Sequence, residues 1–213
     1  MIRILVVDDH AMVRNGLISI LSLLDTPNGA VCDEAGNGEE ALLMLSQQRY
    51  DLVILDISMP GIGGLELLPI IHERQPELPV LMLSMFPEEE FALRAFKLGA
   101  VGYLTKKEAA DELLLAVGQI AEGKRYLSQH FSNCLINQAL EGGVGGQASH
   151  GQLSNREFQI LRSLATGRSL KVIALDLDLS IKTVSTYKTR LFAKMGFHSD
   201  ADLISYANRH QLI

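Results

Sequence analysis

Cysteine is nearly absent. The 213 residues hold two, Cys32 and Cys134, far apart and without neighbours at metal-ligand spacing. This excludes a disulfide-stapled scaffold and a cysteine-rich zinc site, and it leaves two free thiols, buried or half-buried, in a reducing compartment. Long apolar runs are also missing: none approaches the roughly 20 residues that cross a bilayer, so no membrane partner is expected. The first apolar stretch, Ile4 to Val7, is cut off by Asp8 and Asp9 and is too short for a signal peptide, which makes the cytoplasm the expected location. There is no internal repeat. The run Gly142-Gly143-Val144-Gly145-Gly146 has neither the preceding strand nor the following Lys-Ser/Thr of a phosphate-binding loop, and reads as a linker.

What is present suits two folded domains. Hydrophobic residues make up 47% and charged residues 21%, which excludes a largely disordered chain. The net charge of −6 is unevenly spread. Residues 1–149 hold 10 Lys and Arg against 20 Asp and Glu, whereas residues 150–213 hold 9 against 5. A basic end on an acidic body can meet a polyanion, although this excess is too small to decide the matter.

Short apolar runs alternate with amphipathic stretches. The pattern predicts strands at Ile4–Val7, Val31–Ala35, Leu52–Leu55, Val80–Leu83 and Val101–Leu104. Helices are predicted at Val13–Leu24, Glu39–Gln48, Leu65–Glu73, Glu88–Leu98 and Ala109–Ala121. Strands apolar on both faces and separated by helices indicate an α/β domain, a doubly wound parallel five-stranded sheet, with its ligand site beyond the carboxyl ends of the strands. A further helix is expected over Ser128–Leu140. After the glycine run the strand pattern disappears, and Ser154–Ala165, Ser169–Leu177, Ser180–Met195 and Ser199–Arg209 read as four helices of an all-α domain. Each opens on Ser, a favoured N-cap, and Glu157 stands at capping-box spacing from Ser154. The division is therefore 1–124, a linker over 125–150, and 151–213.

Chemistry-bearing residues follow the strands. Asp8 and Asp9 end the first, Asp56 the third, Ser84 the fourth, and Lys106 comes two residues after Leu104. If the first and third strands are neighbours, the three carboxylates converge and repel unless a cation joins them; oxygen-only ligands at an exposed edge suit Mg²⁺. A carboxylate nucleophile, a divalent ion, a hydroxyl and an ammonium form a phosphoryl-transfer set. Taken singly, each residue has an ordinary alternative: Asp8 or Asp9 as a helix cap, Ser84 as a turn residue, Lys106 and Lys107 as solvated charges. Their succession at strand ends is what points to a site.

Residues 2 to about 122 resemble a response-regulator receiver domain. The matching pieces are Val7-Asp8-Asp9-His10, Leu55-Asp56-Ile57-Ser58-Met59-Pro60-Gly61 with Gly64, Leu83-Ser84-Met85, and Gly99-Ala100-Val101-Gly102-Tyr103-Leu104-Thr105-Lys106. The resemblance implies a flavodoxin-like fold and phosphorylation of Asp56 by a sensor histidine kinase. It implies Mg²⁺ held by Asp9, Asp56 and the backbone carbonyl of Ser58, with Asp8 nearby or acting through water. Lys106 and Ser84 would contact the phosphoryl group, and Tyr103 would be the switch aromatic that moves inward as Ser84 moves. Ser58 and Phe86 occupy positions that tune hydrolysis in that family. The ordinary alternative for Tyr103 is a half-buried strand aromatic.

The second half carries its own signal. Residues 169–195 suggest a helix–turn–helix with a long second helix. Val184, Tyr187, Leu191 and Met195 fall on one face and should pack with Ile160, Leu161, Leu164, Ile173 and Leu177. The opposite side carries Lys182, Ser185, Thr186, Lys188 and Thr189, flanked by Arg190. Small hydroxyls let a helix enter a major groove while Lys and Arg hold phosphates, although a solvated surface face gives the same spacing. Residues 151–210 are similar to the LuxR-type DNA-binding domain of the NarL/FixJ branch, through Leu153-Ser154-Asn155-Arg156-Glu157, Ile160-Leu161, Gly167, Ile173-Ala174, Leu177, Lys182-Thr183-Val184 and Met195-Gly196. The resemblance implies that Ser185, Thr186 and Thr189 approach base edges and that Lys182 and Lys188 hold phosphates, within a DNA-contacting set that includes Thr183 and Arg190. Val172 and Tyr187 depart from the usual Glu and His. The run Thr183–Lys188 looks closer to a sub-branch that includes EvgA and BvgA.

Together the resemblances imply a two-component response regulator and transcription factor. Its partners would be a sensor histidine kinase, double-stranded DNA, a second copy of the chain and RNA polymerase. Two other classes compete. A haloacid-dehalogenase-type hydrolase needs a second Asp two residues past the nucleophile, where Ser58 stands, so no enzyme is expected. A protein-interaction regulator that no longer reads DNA would share the fold but lack salt-sensitive DNA binding.

Overall fold

The computed structural model describes residues 2–24, 29–86, 88–133, 153–177, 179–210 and 212. It divides into two compact units, Met1–Val144 and Gly145–Ile213. The predicted linker glycines 142–146, and residues 134–140 of the helix expected from Ser128, lie outside the described residues; residues 129–133 are helical.

The first unit is a five-stranded parallel sheet, β1 (Ile2–Val7), β2 (Ala30–Ala35), β3 (Leu52–Asp56), β4 (Val80–Ser84) and β5 (Gly102–Thr105), in the order β2-β1-β3-β4-β5. Five helices connect and follow the strands: α1 (Ala11–Leu21), α2 (Gly38–Gln47), α3 (Gly64–Arg74), α4 (Glu88–Lys97) and α5 (Ala109–Ala121). Ile4, Val6, Leu52, Ile54, Leu81 and Leu83 point to one face and form a core with Leu17 and Leu21 of α1 and Leu113 and Val117 of α5. Alternate residues of the same strands serve the other face, which is why β3 and β4 are buried at every position. The edge strand β2 is only half-buried, which lets Cys32, Asp33 and Glu34 sit in it.

Two local devices set the strand ends. Asn37 caps α2 by accepting from the Glu40 backbone N–H at 2.8 Å. Gly64 opens α3 directly beneath β3: a Cβ there would lie 2.1 Å from the Asp56 carbonyl oxygen, so only glycine lets the loop after Asp56 fold back this tightly.

Residues Tyr126–Phe131, which the sequence places at the start of the linker, pack on the sheet. Tyr126 donates its N–H to the Val101 carbonyl and forms a parallel bridge with Gly102, covering the β5 edge. Its hydroxyl donates to Glu112, the Ser128 hydroxyl donates to the buried Glu88 carboxylate, and Phe131 stacks on Phe96 at 5.9 Å.

The second unit holds α6 (Asn155–Ala165), α7 (Leu170–Asp176), α8 (Ile181–Met195) and α9 (Asp200–Arg209). All four expected serine caps form: Ser154, Ser169, Ser180 and Ser199 each accept from a backbone N–H three residues on. Phe158, Ile160, Leu161, Ile173, Val184, Leu191, Leu203 and Ala207 make its core. Gly196 ends α8 in the left-handed conformation, φ 68°, that favours glycine. Among the described residues no helix is long and apolar enough to cross a membrane.

Candidate functional site

The carboxyl ends of β1, β3, β4 and β5 bring together the residues that the sequence singles out. β1 and β3 are neighbours, with Val7 paired to Leu55, so Asp8 and Asp56 leave the sheet side by side. Asp8 is 0% and Asp56 1% exposed. Neither Asp8 nor Asp9 caps α1; His10 holds that position. Lys106 reaches over from the end of β5, placing Nζ 2.6 Å from Asp8 Oδ2 and 3.0 Å from Asp56 Oδ2. Its backbone N–H donates to the Ser84 carbonyl at 2.6 Å, which joins the ends of β4 and β5.

One ammonium does not offset this concentration of acid. Burial pushes the Asp56 carboxyl up from 3.8 to about 6; Lys106 and the Ser58 backbone N–H pull it down, while Asp8 adds to the rise. Burial alone would depress the Lys106 ammonium, yet Asp56 and Asp8 hold it above its ordinary value. Both Asp56 carboxylate oxygens are shut away from solvent, and the described residues offer them one ammonium and one backbone N–H. Buried carboxylates in this condition fit a divalent cation with oxygen ligands. Ser58, half-buried, lies two residues beyond Asp56 at the same edge.

Ser84 is fully buried, and its Oγ accepts from the Phe86 N–H at 2.9 Å. Tyr103 is already inside, 0% exposed, with its hydroxyl donating to the Phe86 carbonyl. The sequence expectation of an aromatic that moves inward thus meets a ring seated in the core. His10, to which the sequence assigns no site role, stands at the same edge. Its Nδ1 lies 2.7 Å from Asp9 Oδ1, and Asp8, Asp9, His10 and Asp56 can each offer a ligand atom within 4.8 Å of the others. Its place directly after the acid pair was the available signal.

In the second unit α8 has the expected two faces, with one difference. Val184 and Leu191 are buried; Tyr187, Met195, Leu164 and Leu177 are half-buried. Lys182, Ser185, Thr186, Thr189 and Arg190 are exposed, and Thr183 is half-buried beside its Ser180 cap. Lys188 was placed on the open face but folds back: Nζ is 2.6 Å from Asp200 Oδ1 and 5.2 Å from the Phe192 ring centre, leaving the side chain 25% exposed. A flexible stem with an acid and an aromatic face in reach explains the difference. Thr186 and Thr189 hydroxyls donate to the Lys182 and Ser185 carbonyls of their own helix. Lys182 and Arg190 have no ion pair among the described residues.

The family model of the response regulator receiver domain matches residues 4–118, and that of the bacterial regulatory proteins, luxR family, matches residues 151–207. The chain belongs to the response regulator family. Full-length likeness agrees. GacA, a response regulator of Pseudomonas protegens, is 35% identical over 213 residues, covering 100% of this chain and 98% of that protein. UvrY, a response regulator of Escherichia coli K12, is 34% identical over 212 residues, covering 100% and 96%. Among solved structures, RcsB of Salmonella enterica serovar Typhimurium, bound to the promoter rprA with the phosphomimetic BeF3−, matches with a TM-score of 0.60 and 26% identity, over 98% of this chain and 99% of that one. This response regulator thus has a receiver sheet and a LuxR-type helical unit. These relatives carry the family; the narrower likeness to EvgA and BvgA remains an expectation of the sequence.

Proposed function

We propose that this response regulator takes a phosphoryl group on Asp56 from a sensor histidine kinase and, in that state, binds DNA as a dimer to regulate transcription. The observation that carries the reading is the buried Asp8–Asp56–Lys106 cluster at adjoining strand ends, with Asp9 beside it. An oxygen of Asp56 forms the new O–P bond as the N–P bond to the kinase's phosphohistidine breaks. The imidazole leaves with the bonding pair and takes a proton. Lys106 moves from two carboxylates to a shared hold on the phosphoryl oxygens, and the Ser84 hydroxyl turns from Phe86 towards the same group. Asp8, Asp9, Asp56 and the Ser58 carbonyl would hold Mg²⁺, which when bound supplies charge neutralisation for the phosphoryl oxygens.

In the helical unit α8 is the reading helix: Ser185, Thr186 and Thr189 approach base edges, while Lys182, Thr183 and Arg190 serve the backbone, joined by Lys188 only where it leaves Asp200. RNA polymerase is the further partner, and the cytoplasm the compartment. The domain division 1–124, 125–150 and 151–213 belongs to the same reading. The test is labelling by a small acyl phosphate with Mg²⁺, followed by gel shift on promoter DNA. Asp56→Asn should lose both the label and the phosphodonor-induced gain in binding; a label that persists on another residue rejects the assignment. Steady turnover of a phosphate ester would instead favour the hydrolase class.

A further inference from the structure

Lys188 stands beside the proposed reading face, but its ammonium is already taken. The residue lies one turn from Ser185 and next to Thr189 on α8, so its stem is rooted among the residues assigned to the bases. Its Nζ is 2.6 Å from Asp200 Oδ1 and 5.2 Å from the Phe192 ring centre, and the side chain is 25% exposed. Lys182 and Arg190, exposed on the same helix, have no ion pair among the described residues.

Capping does not explain Asp200. It is the first residue of α9, but its neighbours satisfy that helix end. Ser199 Oγ accepts from the Asp202 N–H at 3.2 Å, and Asp202 Oδ2 accepts from the N–H groups of His198 and Ser199, both at 2.9 Å. The Asp200 carboxylate, 62% exposed, is left with Lys188 as its partner among the described residues. The N-terminal end of a helix favours a negative charge, which suits an acid at this position.

We infer that Asp200 withholds Lys188 from DNA phosphates and so lowers the sequence-independent part of binding. This rests on α8 as the reading helix and adds the residue that limits its charge. An ammonium engaged with a carboxylate brings no net charge to the duplex and releases no counterion. If Lys188 leaves for a phosphate, Asp200 becomes a bare acid beside a polyanion, and the exchange gains little. An exposed pair is weakly held in water, so it is this repulsion, more than the strength of the pair, that keeps the lysine in place. Lys182 and Arg190 then serve as the cations of the open face, and discrimination falls on the base-facing hydroxyls.

The experiment uses the full chain and a random-sequence duplex, with binding read by fluorescence anisotropy across a range of KCl concentrations. Asp200→Asn should bind about fivefold tighter near physiological salt and raise the salt slope by about 1, the effect of one added phosphate contact. Asp200→Glu keeps the charge and should match the wild type. On a Lys188→Ala background the gain from Asp200→Asn should be clearly smaller, because a distant charge is screened whereas a phosphate contact is direct. An unchanged slope in Asp200→Asn, or an equal gain with and without Lys188, overturns the inference. A second measurement is made on the wild type, so a variant that misfolds cannot conceal the answer. Acetylation by a small lysine-selective reagent should be slower at Lys188 than at Lys182, and equal rates also overturn the inference. Lys182→Ala separates the two readings. If it lowers the slope while Asp200→Asn changes nothing, only the withholding fails. If both variants leave the slope untouched, α8 is not the helix that meets DNA, and the inference falls with that reading.

Discussion

The hydroxyl of Tyr103 donates to the backbone carbonyl of Phe86 at 3.1 Å from a ring that solvent does not reach. The Phe86 N–H in turn donates to Ser84 Oγ, the hydroxyl that ends β4 beside the carboxylates. The loop after β4 is therefore held at one residue from both sides, by the strand that carries Lys106 and by the strand that faces the acids. A group that draws Ser84 towards Asp56 must break the bond to Phe86, and Tyr103 is the residue positioned to respond. This gives the proposed switch a two-state physical element.

Replacing Tyr103 with Phe removes this bond and leaves the ring. The receiver should lose about 1 kcal/mol, the usual net worth of a neutral hydrogen bond. Amide exchange at Met85 and Phe86 should rise in the same variant. Protection that stays at the wild-type level would mean that the hydroxyl does not fix the loop.

Asp56 sets a pH dependence whose sign follows from its raised value. Its carboxyl moves from 3.8 in the unfolded chain to about 6 in the fold, chiefly through burial. The folded state therefore holds a proton that the unfolded state has lost, and stability falls as pH rises from about 4 to about 6. Asp56→Asn should be more stable than wild type at pH 7 without divalent ions, by on the order of 1–3 kcal/mol, and the difference should vanish below about pH 4. Mg²⁺ should stabilise the wild type more than the variant. Urea unfolding across this range, with and without the ion, checks both signs.

Glu157 behaves in the opposite sense. Its burial raises the carboxyl, but the Lys194 ammonium at 2.6 Å and the N–H and hydroxyl of Ser154 outweigh it, and the net shift is downward. The stabilisation is complete above the ordinary glutamate range and is lost as pH falls through the lowered value. Glu157→Gln should cost about 1–2 kcal/mol at pH 7 and flatten the acid limb of unfolding in the helical unit. An acid limb as steep as that of the wild type would assign it to other groups.

On α8 the unpaired exposed cations separate from the paired Lys188. Lys182 and Arg190 are exposed without an ion pair among the described residues, whereas Lys188 is held by Asp200. Changing Lys182 or Arg190 to Ala should weaken DNA binding on all sequences and lower the salt slope by about 1 each. Lys188→Ala should instead reduce thermal stability, with a smaller change in slope. Salt titrations on specific and random duplexes distinguish these outcomes; a full unit of slope lost at Lys188 would show that it leaves Asp200 on binding DNA.

Local physics explains which features were legible. The apolar runs Leu52–Leu55 and Val80–Leu83 gave the central strands because both faces are covered, and the serine caps gave the four C-terminal helices because capping is decided within three residues. The convergence of Asp8, Asp56 and Lys106 followed once β1 and β3 were neighbours. The misses depend on distant partners. Lys188 turns from the open face because Asp200 lies on the next helix, and Tyr103 shows its buried seat only when Phe86 is placed. Ser128 meets a carboxylate 40 residues earlier in the chain. No periodicity in Tyr126–Phe131 could announce that this stretch closes a sheet edge.

That closing segment carries the last prediction. Ser128 donates to Glu88 at the start of α4, Phe131 stacks on Phe96 further along the same helix, and Tyr126 bridges to Gly102 of β5. The stretch leading out of the receiver is thereby fastened to the helix that follows the Ser84–Phe86 loop. Phe131→Ala removes a buried ring and should cost about 3 kcal/mol. Ser128→Ala removes one donor to a buried carboxylate and should cost about 1–2 kcal/mol. If α4 relays the state of Asp56 outward through these contacts, both variants should still take up phosphoryl groups on Asp56. They should, however, lose much of the difference in DNA affinity between the labelled and unlabelled forms. Measuring label stoichiometry and affinity on the same samples decides it: an undiminished difference would leave the segment as packing alone, and lost labelling would place its effect at the carboxylates instead.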